Sequence, residues 1–292
     1  MSKSSNTSIF WELIRLGKFR LGASVVFSSV AGYLLGYQDF SWEDILLLIS
    51  GGLLVVAASN AFNQIYEMNQ DALMVRTKNR PLPAGTLTTL QANFAALMAL
   101  LIGLIILCCI NIMSAFFGAL SVILYAFIYT PLKAKTSLAV FVGAFPGAIP
   151  YMLGWVAARN DFDIETGTLF AQQFLWQFPH FWAIAWFSFE DYKRANYNLL
   201  PTGAKNRATQ LLIVVYTFFM IIVGVLPAFG ITGDLKLSVL GAVLVSILGA
   251  WVFANALNLL KSGEDSIARK LMFSSIGYLT GMQLIYVIDR FI

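Results

Sequence analysis

Ile45 to Gly85 reads ILLLISGGLLVVAASNAFNQIYEMNQDALMVRTKNRPLPAG. Its first 22 residues, Ile45 to Tyr66, carry no charge. That is the length a helix rising about 1.5 Å per residue needs to cross a hydrocarbon layer of about 30 Å. The second part turns polar. Asn63, Glu67 and Asp71 recur every fourth residue, so on a helix their oxygen-bearing side chains project from one face. Behind them stand Arg76, Lys78 and Arg80, then Pro81, Pro83 and Gly85, which stop a helix and open a loop. A carboxylate row suited to a hard divalent cation, next to guanidinium and ammonium groups suited to phosphate oxygens, is the donor set of a magnesium-diphosphate site. It falls where a span meets the membrane surface.

The rest of the chain repeats the apolar theme. With 59% hydrophobic and 12% charged residues and a mean hydropathy of +0.75 over 292 residues, the sequence excludes an ordinary soluble domain. The net charge of +4 does not indicate nucleic-acid binding, because the basic residues lie in loops between apolar runs and not in one soluble patch. Cys108 and Cys109 are adjacent inside an apolar run, so no structural disulfide or cysteine-rich metal site is expected, and they read as packing residues.

Charge-free runs cover 21–38, 45–66, 81–132, 136–158, 208–233, 237–260 and 271–288, and 166–189 joins them, broken only by His180. The run 81–132 is long enough for two crossings, with a break near Asn111, so nine transmembrane helices are predicted. The loop charges agree with this number. If the N-terminus is cytoplasmic, only Arg159, Lys236 and Arg290 of the 19 basic residues fall outside. The C-terminus is then outside, and the stretch around Asp71 is cytoplasmic.

A second segment, from Trp176 to Thr209, repeats the first design after the sixth helix. Asp191, with Glu190 beside it, precedes Lys193 and Arg194, then Leu200, Pro201 and Gly203. The two segments suggest two helical bundles facing each other across a shared cavity. His180, 11 residues before Asp191, is expected on the same helix face and about 16 Å deeper, facing a cavity. Pro179 is expected to bend that helix, and Pro146 and Pro150 the one before it. The last three helices show no comparable polar constellation and read as scaffold.

These residues resemble the UbiA-type intramembrane prenyltransferases, and within them the branch that farnesylates heme. The Asn and two acids spaced by four, Asn63, Glu67 and Asp71, match the family's first metal motif. Arg76 to Pro81, Trp176 to His180 and Asp191 to Ala195 look like the heme branch, and Tyr129 to Lys133 matches a Tyr-x-x-x-Lys pattern. Glu67 stands where an aspartate is more usual and lengthens one ligand arm.

The resemblance implies an all-α fold, with nine transmembrane helices around a central cavity and cytoplasmic loops after helices 2 and 6 capping the active site. It implies one domain over 1–292, with an N-terminal arm at 1–20 and cap loops at 67–86 and 190–208. It also implies farnesyl transfer from farnesyl diphosphate to a vinyl group of heme b, giving heme O. One or two Mg²⁺ would be held by Asn63, Glu67, Asp71 and Asp191, the last doubling the site from the second segment. Substrates would be held by Arg76, Lys78, Arg80, Tyr129, Lys133, Gln177, His180, Lys193 and Arg194. The expected setting is the inner (plasma) membrane of a bacterium, among membrane lipids, with a contact to heme A synthase or a terminal oxidase assembly. Two alternatives stay open: prenylation of an aromatic acid or quinone precursor, and a nine-helix transporter.

Overall fold

A computed structural model describes residues 8–292; residues 1–7, including Lys3 and the start of the expected arm, lie outside the described residues. All regular elements among them are helical. A short helix α1 (Ile9–Gly17) precedes α2 (Phe19–Gly36) and α3 (Trp42–Tyr66), and α4 (Met68–Leu73) leads to α5 (Thr89–Ile110). Next come α6 (Ile112–Val122), a π-helical stretch Ile123–Tyr129 and α7 (Thr130–Leu132), which together make one continuous rod, and then α8 (Ala139–Arg159). The second half holds α9 (Ile164–Phe187), α10 (Phe189–Arg194), α11 (Arg207–Val225), α12 (Val239–Ser262) and α13 (Asp265–Phe291).

Polar residues at the ends of the apolar runs fix these boundaries by satisfying helix-end N–H groups that would otherwise lack partners. Ser41 caps α3 through the Asp44 N–H, and Thr88 with Gln91 forms a capping box on α5. Asn111 marks the break in the longest run: its Oδ1 accepts from Ser114 N–H at 2.8 Å, starting α6, while its Nδ2 donates to the Val156 and Ala157 carbonyls. Asn206 and Ser238 cap α11 and α12 in the same way.

Two groups of helices result. α2, α3, α5, α6 and α8 pack together, and α9, α11, α12 and α13 close a four-membered ring; α8 against α9 and α2 against α13 join the two. α8 is the most enclosed of the spanning candidates and runs unbroken through Pro146 and Pro150. It approaches α2 through glycine. A Cβ on Gly154 would overlap the Ser29 carbonyl, and one on Gly32 the Tyr151 carbonyl, so the two backbones touch.

Among the described residues, eight helices are long and apolar enough to cross a membrane. Their outward faces carry large apolar side chains such as Leu90, Phe94, Ile105, Leu240, Ile247, Trp251 and Phe273. A surface of this kind requires lipid and not water around it, and the chain is a multi-pass membrane protein. Cys108 and Cys109 are part of that outward surface, as free thiols, and not packing residues as their apolar setting suggested.

Polar contacts collect at two opposite ends. At one, Arg15 reaches the Asn79 carbonyl, Ser137 the Pro201 carbonyl, and Lys205 pairs with Asp265. At the other, Arg159 reaches the Gly36 carbonyl and Asp234, and Arg290 the Tyr37 carbonyl. The N-terminal arm expected at 1–20 forms α1 where it is described. Glu12, buried there, accepts from Thr86 Oγ1 at 2.7 Å, while Ile9, Phe10 and Trp11 point outward.

Candidate active site

α3 ends at Tyr66, Glu67 takes φ −92° and ψ 10°, and α4 starts at Met68. The interruption leaves the helical ladder intact. Glu67 N–H donates to the Asn63 carbonyl at 2.9 Å and Asp71 N–H to the Glu67 carbonyl at 2.7 Å. Asn63, Glu67 and Asp71 therefore stack on one face, as their spacing predicts, and all three are buried.

Each meets a different partner. Asn63 Nδ2 donates to Thr130 Oγ1 at 3.0 Å, and the same amide group is a donor to the Glu67 carboxylate. Glu67 pairs with Lys133 Nζ at 2.8 Å and accepts from the Tyr197 hydroxyl. Both oxygens of Asp71 accept from one Arg80 nitrogen, at 2.8 and 2.6 Å. Lys133 directly follows α7, Thr130 Oγ1 donates back to the Tyr125 carbonyl in the π-helical stretch before it, and the Lys133 ammonium lies 4.6 Å from the Tyr129 ring centre.

The two carboxylates are not equivalent. Burial pushes Glu67 up, but the Lys133 charge and the hydrogen bonds from Lys133, Tyr197 and Asn63 outweigh it and hold this group below the usual carboxylate range. Burial pushes Asp71 up as well, and there it prevails over Arg80. An ionised Asp71 is thus a buried charge that its one guanidinium leaves short of compensation.

Two segments beyond the row close on it. The loop Val75–Arg80 is tied to the second segment by Asp191, whose carboxylate accepts from Val75 N–H at 2.9 Å and Arg76 N–H at 3.3 Å. Burial raises the Asp191 pKa, but these backbone N–H groups and Arg194 prevail and bring it below its ordinary value. Asp191, expected among the metal ligands, joins the two segments through these contacts. Arg76 lies on Tyr192, with its Nη2 3.2 Å from the hydroxyl. Lys78 and Lys193 are exposed and outside the cluster, and Arg194 pairs with Asp191 at 3.0 Å.

α9 departs from expectation. It ends at Phe187, and the backbone turns at Ser188 before α10, so His180 and Asp191 do not share one helical face. His180 Nδ1 lies 2.9 Å from Ser275 Oγ, its ring stacks on Trp176, and the Trp176 indole N–H donates to the Ser275 carbonyl. Gln177 Nε2 donates to the Ala144 carbonyl at 2.8 Å and fills the space over Gly147. Both residues join α9 to its neighbours.

Lys18 was not singled out from the sequence. It sits between α1 and α2 in a left-handed conformation, φ 50°. Loss of solvation, together with repulsion from Arg80 and Lys133, pulls its pKa down to about 7. Its signal in the sequence is only a lysine one residue before a span. Tyr197 and Thr130 were missed too, as common residues with no spacing to mark them.

The donors fit a hard cation bound together with a phosphate. Carboxylate and amide oxygens are magnesium ligands, and Mg²⁺ is ordinarily held by one or two protein carboxylates plus substrate phosphates. Among the described residues no group of three His, Cys, Asp or Glu side chains lies close enough to hold a metal alone. The remaining ligands would come from the diphosphate.

Residues 25–277 match the model of the UbiA prenyltransferase family. The chain is 51% identical to a protoheme IX farnesyltransferase of Christiangramia forsetii, over 98% of this chain and 96% of that one. Its fold resembles that of a solved structure concerned with digeranylgeranylglyceryl phosphate synthase, with a TM-score of 0.79 at 16% identity, over 97% of this chain and 99% of the other. A UbiA homologue from Archaeoglobus fulgidus, solved with DMAPP and Mg²⁺, superposes with a TM-score of 0.62 at 14% identity, over 94% and 99%. By its sequence over nearly its whole length, the chain belongs to the UbiA prenyltransferase family.

Proposed function

We infer that this protein transfers the farnesyl group of farnesyl diphosphate to a vinyl group of heme b, making heme O. The observation that carries the reading is the buried Asn63, Glu67 and Asp71 row, paired with Arg80 and Lys133 and within electrostatic reach of Lys18. The near-full-length similarity to protoheme IX farnesyltransferases supplies the acceptor. In the reaction the bond between farnesyl C1 and the diphosphate oxygen breaks, and the vinyl π electrons form the new carbon–carbon bond. The cation left beside the porphyrin takes up water and loses a proton.

Magnesium, when bound, supplies positive charge to the departing oxygens. The chain's own part is to hold that charge in place. Asn63, Glu67 and Asp71 offer the oxygen donors, while Arg80, Lys133, Lys18 and Arg76 face the phosphate with positive charge preorganised in a water-poor site. Asp191 keeps the two loops together over it and so limits hydrolysis of the allylic cation. The polar end faces the cytoplasm, since the outer end holds only Arg159, Lys236 and Arg290 as basic residues. α9 is the sixth of nine crossings. Its Gln172, Gln173, Gln177 and His180 reduce its apolarity, yet α8, α11 and α13 enclose it, so lipid never meets those groups.

Membranes containing the protein, supplied with heme b and farnesyl diphosphate, are expected to yield a farnesylated, hydrated heme by mass spectrometry. A prenylated aromatic acid, with heme left unchanged, would sink the reading.

Lys18 adds a pH dependence. Its folded pKa of about 7 lies below the ordinary 10.5, so between these values the empty site has lost the proton. A diphosphate nearby favours the charged form, and binding there takes up a proton. Affinity for farnesyl diphosphate is therefore expected to fall as pH rises above 7, by at most about tenfold per pH unit, and to be level below it. Lys18→Arg, which stays charged, is expected to flatten the profile while retaining affinity; a slope that survives this change would remove Lys18 from the site.

A further inference from the structure

The last helix, expected as scaffold, carries a buried polar row. Ser275, Tyr278, Gln283, Tyr286 and Asp289 recur along the inward side of α13 over about 21 Å of helix, and the first four are almost fully buried. Each meets polar groups of other helices. Ser275 Oγ is 2.9 Å from His180 Nδ1, and Tyr278 Oη donates to the Met220 carbonyl at 3.3 Å. Gln283 Nε2 donates to Ser28 Oγ at 3.0 Å, and Gln172 Nε2 to Tyr286 Oη at 2.7 Å.

Beside this row two side-chain atoms of α8 and α9 have no partner in the chain, Tyr151 Oη and Gln172 Oε1, although Tyr151 is 0% and Gln172 1% exposed. The Tyr151 hydroxyl lies within electrostatic reach of Tyr278 and Tyr286. Polar atoms left over inside a membrane protein, with other polar atoms around them, are where ordered water binds. At its outer end the row reaches a cavity of ≈ 250 Å³ lined by Leu35, Asp234, Leu235, Lys236, Asp289 and Arg290. Asp289 belongs to both.

We propose that the polar row from Asp289 through Tyr286, Gln172, Tyr151 and Tyr278 to Ser275 and His180 conducts single water molecules from the outer surface to the cation formed on heme. This rests on the farnesyl transfer inferred above. That reaction consumes one water per turnover, yet bulk water at the diphosphate end would hydrolyse the farnesyl donor. The loops joined by Asp191 cover that end. A row one molecule wide, entering from the opposite side, supplies the water without flooding the site. Two fates are open to the cation. Capture of water forms a carbon–oxygen bond and releases a proton from that water; without water the cation loses a proton from the adjacent carbon and becomes an alkene, lighter by one water.

The test is the ratio of unhydrated to hydrated farnesyl-heme made by the full chain in membranes from heme b and farnesyl diphosphate. Tyr151→Phe deletes only a hydroxyl with no partner in the chain, so thermal stability in detergent is expected to hold or rise. The ratio should increase about fivefold, the effect of one lost hydrogen bond. Gln172→Leu is expected to raise it too, whereas Tyr33→Phe, at a buried tyrosine off the row, leaves it at the wild-type value. Because it is a ratio, a smaller folded fraction does not move it. An unchanged ratio in both Tyr151→Phe and Gln172→Leu overturns the water row. A wild-type chain that yields farnesyl-heme of neither mass overturns the farnesyl-transfer reading instead.

Discussion

Asp71→Asn is expected to lower turnover of heme b and farnesyl diphosphate by about 10³-fold, the scale for removing a preorganised charge from a reacting site, while leaving the protein folded. The change keeps the size of the side chain and the packing around a residue that is 0% exposed. What it removes is the charge that accepts from Arg80 at 2.6 Å and would face a divalent cation. Arg80→Ala should inactivate as strongly, but for two reasons at once. It deletes a positive group facing the phosphate, and it strands Asp71 as a buried carboxylate, a defect that costs about 3 kcal/mol or more when a pair is fully buried; Arg80 retains 21% of its side-chain exposure, which reduces the penalty. Activity assays beside thermal unfolding in detergent separate the two. Asp71→Asn with wild-type turnover would remove the row from the reaction.

Gly154→Ala should have the largest effect on the fold. Its added methyl would overlap the Ser29 carbonyl oxygen and crowd the Tyr33 backbone nitrogen, and Gly32→Ala would meet the Tyr151 carbonyl from the other side. Backbone cannot rotate away as a side chain does, so α2 and α8 must separate and the enclosed face of α8 loses its packing. A loss of at least about 3 kcal/mol is expected, seen as little or no monodisperse protein after extraction. Gly167→Ala in α9 is the matched control. Nothing lies within 4 Å of the added carbon, so it should be neutral or raise the melting temperature slightly. If Gly154→Ala melts like Gly167→Ala, the close approach of α2 and α8 does not hold the bundle together.

How far the sequence could be read follows from the range of the interactions concerned. The helices were legible because each is announced locally, by an apolar run and a capping residue such as Asn111 or Ser238. So was the Asn63, Glu67 and Asp71 row, since spacing by four has one meaning on a helix. The partners were less legible. Lys133 and Arg80 could be named from motifs, but which acid each would meet could not. No spacing ties Lys18 to the acids, and Tyr197 reaches Glu67 across 130 positions. His180 seemed to share a helix with Asp191 because no proline or glycine marks the turn at Ser188. Its actual partner, Ser275, is 95 residues away. The polar side of α13 stayed hidden for the same reason, since its glutamine, serine and tyrosines are uncharged and gain meaning only when Ser28, Tyr151 and Gln172 surround them.

The tether at Asp191 has an evolutionary consequence. Its carboxylate is received by the main-chain N–H groups of Val75 and Arg76, and every amino acid except proline supplies such a group. The latch therefore does not depend on which side chain occupies position 75. Drift at that position, which is exposed, leaves closure intact, while the aspartate on the other side has no such latitude. One half of the contact is written in the genetic code and the other half in the peptide bond.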